Sequence, residues 1–372
     1  MCQETSGVSV VRLGGDAGLM LAIPFWGIKL CKPQRSFTIH WLLGQICIGD
    51  DRMTLPGFED VLAAAQRIRP YVHRTPVLTS SALNAMTGAA LFFKCENFQK
   101  VGAFKARGAC NAVFSLTGDA AQRGVATHSS GNHAAAIAYA AGLRGIPATV
   151  VMPDNAPPVK RAAVEGYGAR VVTSGSRPLD REEMLESVLQ ETGATFVHPS
   201  NDFHVIAGQG TAALELLEDQ PDLDIVMTPV GGGGLLSGTA LAVAGQGKGA
   251  RTLAAEPEVV DDAYRSFRDG RIYPPTNAKT VADGLCTFLG DVNFPIIREH
   301  VSDIITVSEA AIVRAMRTVW ERMKILIEPS SAVPVAALFA YPEVFQGQRV
   351  GIVLSGGNVD LDHLPWGVAA DR

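Results

Sequence analysis

Short apolar runs rich in Val, Ile and Ala alternate along the chain with segments whose apolar residues recur every three or four positions. The short runs predict buried strands, and the longer segments predict helices with one buried face. We predict strands at residues 90–95, 125–128, 148–152, 170–173, 195–198, 225–229, 252–255, 304–307 and 350–354. Helices are predicted at residues 58–68, 132–142, 159–167, 181–190, 235–243, 309–323 and 332–339.

This alternation predicts an α/β fold in which parallel strands are joined through helices that cover both faces of a sheet. Because so many strands would overload one compact sheet, we expect two three-layer α/β lobes with open, mostly parallel sheets. The chain contains no long linker or internal repeat. The lobes are therefore expected to be interleaved, with the chain crossing between them more than once.

Residues 1–52 have an irregular pattern that differs from the rest. The apolar run at residues 19–28 contains Pro24 and is too short to span a membrane. The segment also lacks the basic start and the small-residue cleavage site of a secretory signal. Our first hypothesis is that Met53 is the true start and that residues 1–52 are a gene-model artefact. A targeting extension is the second interpretation.

Composition and charge narrow the class of protein. The 372 residues are 47% hydrophobic and 19% charged, which excludes a chain that is disordered as a whole. The net charge of −5 argues against a nucleic-acid partner. Six cysteines form no CxxC pair and no Cys/His cluster at zinc spacing. We therefore expect free thiols in a reducing compartment, and predict a cytoplasmic protein without a membrane partner.

Four consecutive glycines follow the predicted strand at 225–229 and precede a predicted helix: Gly231, Gly232, Gly233 and Gly234. Backbone N–H groups in such a turn can converge on an anion at the helix N-terminus. No Walker lysine follows, and the spacing does not fit the GxGxxG pattern of dinucleotide sites. A phosphate monoester is thus the simplest ligand, with a flexible turn as the structural alternative.

Two further segments hold candidate chemistry. Ser129, Ser130, Asn132 and His133 precede a predicted helix and could bind a carboxylate, although ordinary helix capping explains them equally well. Lys105 lies between Phe104 and a run of small residues. A lysine in a partly apolar pocket loses its proton more easily and can attack a carbonyl, whereas most lysines are simply solvated.

Pyridoxal 5′-phosphate would explain these segments together with Ser355, which follows the predicted strand at 350–354. Its aldehyde needs a lysine, its phosphate needs N–H groups, and its ring needs polar partners. Residues from about 61 to 360 resemble the fold-type II pyridoxal-phosphate enzymes, specifically the serine/threonine dehydratase and serine racemase branch. The resemblance implies a tryptophan synthase β-like fold, with a large cofactor-binding lobe (53–118 and 202–372) and a small substrate-binding lobe (119–201).

The resemblance also implies a role for each candidate. Lys105 would bind the cofactor aldehyde and remove the substrate α-proton, while Ser130 would face it across the cofactor. The four glycines would hold the phosphate, and the ring would contact Phe104, Asn132 and Ser355. The substrate carboxylate would lie among Ser129, Ser130, Asn132 and His133. Thr287 replaces a serine that is expected near the substrate side chain, and Ala103 replaces the serine that usually precedes Phe-Lys.

An acidic stretch at residues 256–262 could hold a metal. Glu256 and Asp262 are six residues apart, and a hard cation binds carboxylate and carbonyl oxygens. A solvated acidic loop is the simpler interpretation of the composition alone. The resemblance to serine racemase favours a structural or activating site for Mg²⁺ (or Ca²⁺ or Mn²⁺), with Glu256, Asp262 and the carbonyl of Val260 as ligands.

The predicted activity is dehydration of a β-hydroxy amino acid, first L-serine or L-threonine, to a 2-oxo acid and ammonia. Serine racemase and 3-hydroxyaspartate dehydratase are alternatives. Arg181 aligns with an arginine that can reach a second carboxylate, which would suit hydroxyaspartate, although a surface arginine is equally plausible. A binding protein that has lost catalysis and a dinucleotide oxidoreductase are disfavoured, because Lys105, Asn132, Ser355 and the glycines are all present. A homodimer is expected from the family.

Overall fold

The computed structural model describes residues 54–366 except 157, 247 and 276–278, and leaves the side chains of residues 159 and 178 undescribed. The prediction for residues 1–52 lies outside this part. The strands are β1 Val77–Leu78, β2 Ala90–Cys95, β3 Val125–His128, β4 Ala148–Pro153, β5 Arg170–Ser174, β6 Thr195–Phe196, β7 Ile225–Pro229, β8 Arg251–Pro257, β9 Val301–Val307 and β10 Arg349–Leu354.

The helices are numbered in chain order, and α1 precedes β1. They are α1 Phe58–Ile68, α2 Ser81–Thr87, α3 Lys105–Ser115, α4 Gly118–Arg123, α5 Asn132–Arg144, α6 Pro158–Gly166, α7 Pro178–Thr192, α8 Phe203–Asp219, α9 Gly234–Gln246, α10 Asp262–Asp269, α11 Asn293–His300, α12 Glu309–Met323, α13 Pro329–Ala340 and α14 Pro342–Phe345. Within the described residues, none is long and apolar enough to cross a membrane.

Two sheets organise these elements. A six-stranded sheet has the order β1-β2-β10-β7-β8-β9, and a four-stranded sheet has the order β5-β4-β3-β6. Every pairing is parallel except that of β1 with β2. The predicted α/β class with mostly parallel open sheets is therefore confirmed. We call the parts built on these sheets the six-stranded lobe and the four-stranded lobe.

The central strands are apolar along their whole length because helices cover both faces of each sheet. In β7 and β4 every residue is buried. Helices α3 and α8 approach closely through glycines, since a Cβ on Gly208 would lie 2.6 Å from the Cα of Gly108. This close approach fixes the start of α3, where Lys105 lies.

Two differences from the predicted elements have physical reasons. Helix α8 was not among the predicted helices, because its residues are buried on nearly all sides and leave no polar stripe. The strand predicted at 195–198 ends at Phe196. Beyond it, Nδ1 of His198 accepts the backbone N–H groups of Ser200 and Asn201 at 3.1 and 2.8 Å, which turns the chain away from the sheet.

Candidate active site

Lys105 is the first residue of α3 and lies between the two lobes. Its Nζ donates to the carbonyl of Pro199 at 2.7 Å and lies 5.0 Å from the ring centre of Phe104. Burial lowers the pKa of Lys105 to about 8, although the negative charge of Glu328 opposes this shift. A substantial fraction of this amine is therefore neutral, and nucleophilic, near neutral pH.

The glycine turn links β7 to the first residue of α9. Gly233 has φ of +83°, and a Cβ on Gly232 would lie 2.3 Å from Oγ of Ser200. Asn293 clamps the turn from α11, because its Nδ2 donates to the carbonyls of Ser200 at 3.1 Å and Gly232 at 3.0 Å. The turn is thus a fixed cradle that only glycine can form, and the flexible-turn alternative does not describe it.

Asn132 connects the two lobes at the start of α5. Its Nδ2 donates to both carboxylate oxygens of Glu328 at 3.1 Å, and its Oδ1 accepts from Nδ2 of Asn358 at 2.8 Å. Burial raises the pKa of Glu328 to about 7, partly offset by the hydrogen bond from Asn132. Asn358 also donates to the carbonyl of Val101 at 2.7 Å, so one network ties Asn132 to the loop before Lys105.

The other residues of this segment surround the start of α5. Ser129 accepts the backbone N–H of Gly131 at 3.2 Å, and Ser130 is half-buried. His133 is buried, with Nε2 3.2 Å from the carbonyl of Val197, and burial holds its pKa well below the usual value. Because a carbonyl only accepts, this contact places a proton on Nε2, and the lowered pKa leaves the imidazole neutral with no proton on Nδ1.

Ser355 directly follows the strand β10 and is bonded to the residue before Lys105. Its carbonyl accepts the backbone N–H of Phe104 at 2.9 Å, and Ala103 pairs with Gly356. The segment 355–358 and the lysine segment therefore hold each other in register. Together with the contacts of Pro199, Gly232 and Asn132, these bonds link all four predicted segments near the carboxyl ends of the strands.

Arg181 and Thr287 are placed differently from each other. Arg181 is half-buried on α7, its Nε is buried without a hydrogen-bond partner among the described residues, and its charge adds to the burial that lowers the pKa of His128. Arg181 thus lies beside the end of β3, directly before Ser129. Thr287 is exposed, and its Oγ1 borders the glycine turn, 3.0 Å from where a Cβ on Gly231 would lie.

The acidic stretch contains two buried carboxylates. Glu256, at 0% exposure, accepts the backbone N–H groups of Ala263 and Tyr264, at 3.0 and 2.8 Å. Asp262, at 1% exposure, has both carboxylate oxygens buried without a hydrogen-bond partner in the described part of the chain. Burial raises the pKa of Glu256 to about 9 and that of Asp262 to about 7. The solvated-loop interpretation is therefore wrong.

Several residues of the site were not predicted. Glu328, Asn358, Asn293 and Ser200 each fix a predicted residue or the glycine turn. Asn358 stands directly after Ser355-Gly356-Gly357, so proximity to that motif was a usable signal. Nothing in the sequence near Asn293 or Glu328 indicated a role, because their partners are about 61 and 196 residues away.

Comparisons with known proteins agree with this geometry. Residues 68–356 match the family model described as pyridoxal-phosphate dependent enzyme. The chain is 54% identical over 314 residues to beta-hydroxyaspartate dehydratase of Paracoccus denitrificans, which covers 84% of this chain and 100% of the relative. It is 49% identical over 306 residues to serine racemase of Arabidopsis thaliana, covering 81% of this chain and 92% of that one.

The fold has close counterparts among solved structures. The crystal structure of serine racemase from Dictyostelium discoideum superposes with a TM-score of 0.79 and 47% identity, covering 82% of this chain and 99% of that one. The resemblance seen in the motifs is thereby confirmed over most of the chain. The chain belongs to the pyridoxal-phosphate-dependent enzyme family, with the fold-type II architecture.

Proposed function

We propose that this protein is a pyridoxal-phosphate-dependent ammonia-lyase that converts 3-hydroxyaspartate to oxaloacetate and ammonia. The sequence alone ranked L-serine and L-threonine first. The observation that changes this order is Arg181, whose Nε is buried without a hydrogen-bond partner among the described residues and whose charge acts on His128, one residue before Ser129. A relative named beta-hydroxyaspartate dehydratase, matched over its whole length, supports the same substrate.

The residues fit the cofactor. Lys105 offers a largely desolvated amine for the aldehyde, and the fixed glycine turn at the N-terminus of α9 offers N–H groups for the phosphate. Ser355 is buried at the position proposed for the ring nitrogen, and Asn132 is held by Glu328 at the position proposed for O3′. When bound, the cofactor supplies an electron sink that stabilises negative charge on the substrate α-carbon.

The chain's own groups would carry the proton transfers. Lys105 would take the α-proton as a general base, for which a pKa of about 8 is suited to neutral pH. His133 would stay neutral and help to position the substrate carboxylate with Ser129 and Asn132. One water is released when the β-hydroxyl leaves, and one water is taken up when the product is hydrolysed. The overall reaction therefore converts 3-hydroxyaspartate to oxaloacetate and ammonia.

Arg181 would bind the second carboxylate of the substrate. A guanidinium can donate two parallel hydrogen bonds to a carboxylate, and such charged pairs are stronger in a partly buried site. The nearby His128 has its pKa lowered by burial and by the charge of Arg181, so it would add no second positive charge. Serine and threonine lack the second carboxylate and would leave the buried Nε of Arg181 without a partner.

We further propose that a divalent cation binds between Glu256 and Asp262. Oxygens of two buried carboxylates form the donor set that Mg²⁺ and Ca²⁺ prefer. Arg265 cannot neutralise Asp262 fully, because its Nε is paired with Asp261 at 2.8 Å. In the described residues, no group of three His, Cys, Asp or Glu side chains is placed to hold a metal ion. Because the two carboxylates do not fill the coordination shell of the cation, the carbonyl of Val260 and water would supply the remaining ligands.

The substrate proposal is tested by a panel. Full-length protein with pyridoxal phosphate and Mg²⁺ is given the 3-hydroxyaspartate isomers, L-serine, D-serine and L-threonine, and 2-oxo acid, ammonia and chirality are followed together. We expect kcat/KM for one hydroxyaspartate isomer to exceed that for serine by at least about tenfold, since one charged hydrogen bond contributes about 1.5–3 kcal/mol. Faster turnover of serine or threonine would overturn the substrate assignment.

A variant of Arg181 distinguishes loss of binding to the second carboxylate from a general loss of activity. Arg181→Gln should lower kcat/KM for hydroxyaspartate by about 10- to 100-fold and leave that for serine within about twofold. Arg170→Gln is the matched control, because Arg170 is an exposed arginine of the same lobe, paired with Glu191. Equal losses for both substrates in Arg181→Gln would contradict the proposed role.

Serine racemase is the second candidate. Ser130 directly precedes Gly131 and α5, where it could return a proton to the face opposite Lys105, and a relative of 49% identity is named serine racemase. Inversion of L-serine that is faster than formation of pyruvate in the panel would favour it. In that case Ser130→Ala should suppress inversion more than elimination. The homodimer and the cytoplasmic location stay predictions.

A further inference from the structure

Asn293, the first residue of α11, joins three segments of the chain through one buried amide. Its Nδ2 donates to the carbonyl of Gly232 at 3.0 Å and to that of Ser200 at 3.1 Å, and lies 3.4 Å from Oδ1 of Asn201. The residue is 0% exposed. The two amide protons of Asn293 are therefore shared among protein acceptors and do not reach solvent.

These acceptors fix the orientation of the Asn293 amide. Carbonyl oxygens only accept hydrogen bonds, so the amide nitrogen must face Gly232 and Ser200. The Oδ1 of Asn293 is then buried without a hydrogen-bond partner in the described part of the chain. A buried acceptor without a partner is unfavourable and uncommon in folded proteins. A leucine of similar size would avoid this penalty, so the N–H donors of Asn293 distinguish asparagine at this position.

The bond to Gly232 determines where the N–H of Gly233 points. The peptide that joins the two glycines is trans, and in a trans peptide the C=O and the following N–H point in opposite directions. The C=O of Gly232 points to Asn293 on α11. The N–H of Gly233 therefore points away from α11.

The N–H groups of the glycine turn are available to a ligand. Gly231, Gly232 and Gly233 are buried, and their N–H groups donate to no acceptor among the described residues. Buried N–H groups without an acceptor are rare in folded proteins. Successive N–H groups at the start of a helix are suited to an anion such as a phosphate.

We propose that Asn293 is a positioning residue that directs the N–H of Gly233 toward the phosphate of pyridoxal phosphate. This inference rests on the cofactor assignment within the proposed function, because it requires the phosphate at the glycine turn. Glycines stand on both sides of the Gly232–Gly233 peptide and restrict its rotation very little. Without the bond from Asn293, this peptide could rotate and present its C=O, instead of its N–H, to the phosphate.

The same amide connects the glycine turn to the segment that holds Lys105. Asn293 binds the carbonyl of Ser200, and Pro199 directly before it accepts from Nζ of Lys105 at 2.7 Å. A Cβ on Gly234 would lie 2.9 Å from the carbonyl oxygen of Ser200. Asn293 therefore also fixes the glycine turn relative to the amine of Lys105.

The test compares the affinity of the full chain for pyridoxal phosphate with its affinity for pyridoxal, which has the aldehyde but lacks the phosphate. Asn293→Leu removes both N–H donors at similar size. The Kd for pyridoxal phosphate should rise about tenfold or more, and the Kd for pyridoxal should stay within about twofold, because the lost hydrogen bond is one to a charged group. The ³¹P chemical shift of the bound phosphate should also change, which a loss of stability alone does not cause.

Asn111→Leu is the matched control. Asn111 is also a buried asparagine, at 1% exposure, and its Nδ2 donates to the carbonyl of His204 at 2.8 Å, which links α3 to the start of α8. It makes no contact with the glycine turn among its hydrogen bonds in the described residues. This variant should lower stability and leave both the ratio of the two Kd values and the ³¹P shift unchanged.

Four outcomes would count against a proposal. An unchanged ratio of Kd values in Asn293→Leu overturns the inference and leaves the proposed function intact. Equal rises in the two Kd values, or the same change of ratio in Asn111→Leu, also overturn it, because general damage to the fold would explain them. If Asn293→Leu does not fold, an unchanged ratio in Asn293→Ala overturns the inference in the same way. Failure of the wild-type chain to bind pyridoxal phosphate instead overturns the proposed function.

Discussion

The six-stranded lobe buries two clusters of charge, and they are neutralised in different ways. Around the end of β2, Arg107, Lys94, Glu96 and Glu215 form a tetrad with two positive and two negative side chains. Beyond the end of β8, Glu256 and Asp262 bring two carboxylates together, and Arg265 beside them is paired with Asp261. One cluster is compensated within the chain, and the other is not.

The tetrad uses nearly all of its hydrogen-bonding capacity. Arg107 contacts Glu96 through two nitrogens at 2.8 Å and Glu215 at 2.8 and 2.9 Å, while Lys94 donates to Glu215 at 2.6 Å. Burial lowers the pKa of Arg107, but the charges and hydrogen bonds of Glu96 and Glu215 outweigh it and raise the pKa above the usual value. Arg107 therefore stays ionised, and its bonds to Glu96 and Glu215 fix the helix on which Lys105 lies.

The acidic pair shows the opposite behaviour. Burial raises the pKa of both carboxyls, and no hydrogen bond reaches the Asp262 oxygens in the described chain. Two buried carboxylates without a counter-charge are costly, so the protein either protonates them or binds a cation. The comparison teaches that buried charge marks a binding site only where the chain leaves it uncompensated.

The largest expected effect comes from breaking the tetrad. Arg107→Met leaves Glu96 and Glu215 buried without their main partner, and should lower the free energy of unfolding by about 3–5 kcal/mol. Denaturant unfolding measures this loss. Arg74→Met is the control, because Arg74 is half-exposed and pairs with Glu218 and Asp219 on the surface, where the loss should be at most about 1 kcal/mol. Equal losses in the two variants would refute the distinction.

Cation binding tests whether the charge of the acidic pair is compensated by a metal ion. Mg²⁺ at 100 times its Kd should stabilise the fold by about 2.7 kcal/mol, and EDTA should reverse the rise in Tm. Asp262→Asn should abolish the response to Mg²⁺ without lowering the stability of the metal-free protein, because it removes an uncompensated charge. Glu258→Gln is the control and should keep the response, since Glu258 is an exposed carboxylate of the same acidic stretch. If neither Mg²⁺ nor Ca²⁺ raises the Tm of the wild-type protein, the proposed cation site is excluded.

Lys105 provides the smallest effect and a third case, a half-buried amine two residues from Arg107 that forms no ion pair with a carboxylate of the described residues. Its pKa is lowered from 10.5 to about 8, so protonation disfavours the folded state below pH 8 and this penalty disappears as the pH rises to 10.5. About a tenth of the amine is neutral at pH 7. The rate of pyridoxal phosphate incorporation should therefore rise about tenfold from pH 6 to 7 and level off above pH 8 to 9.

Absorbance of the bound cofactor measures this profile. A free lysine derivative under the same conditions is the control for titration of the cofactor itself, and its rate should continue to rise to about pH 10. A protein rate that follows the free lysine at every pH would show that the fold does not shift the pKa of Lys105. A plateau displaced to lower pH supports the desolvated amine that the geometry indicates.

Much of the fold and part of the site could be predicted from the sequence. Short β-branched runs identify β7 and β10 because strands buried on both faces must be apolar throughout. The glycine run follows β7 and Ser355 follows β10, while Lys105 begins the helix α3 that comes after β2, so local order along the chain was enough to select them. The ranges of the two lobes and the role of each site residue stay predictions.

The other features of the site could not be predicted from neighbouring residues in the sequence. Composition alone favoured a solvated loop for Glu256 and Asp262, and only the resemblance favoured a metal site there. Packing of α10 against β9 buries both carboxylates, which no local pattern indicates. The same holds for Glu328, whose hydrogen bond to Asn132 joins residues 196 positions apart. Long-range pairing of polar groups has no periodic signature in the sequence.

The sequence by itself determined most of the strands and helices, and it identified the lysine and the glycine run from which the cofactor was predicted, because hydrophobic periodicity and short motifs act over a few residues. Tertiary structure decided which charges are compensated, and that the Nε of Arg181 is buried without a hydrogen-bond partner in the described part of the chain. These features depend on which polar groups, distant in the sequence, are buried together away from water. That burial arises only when the chain folds.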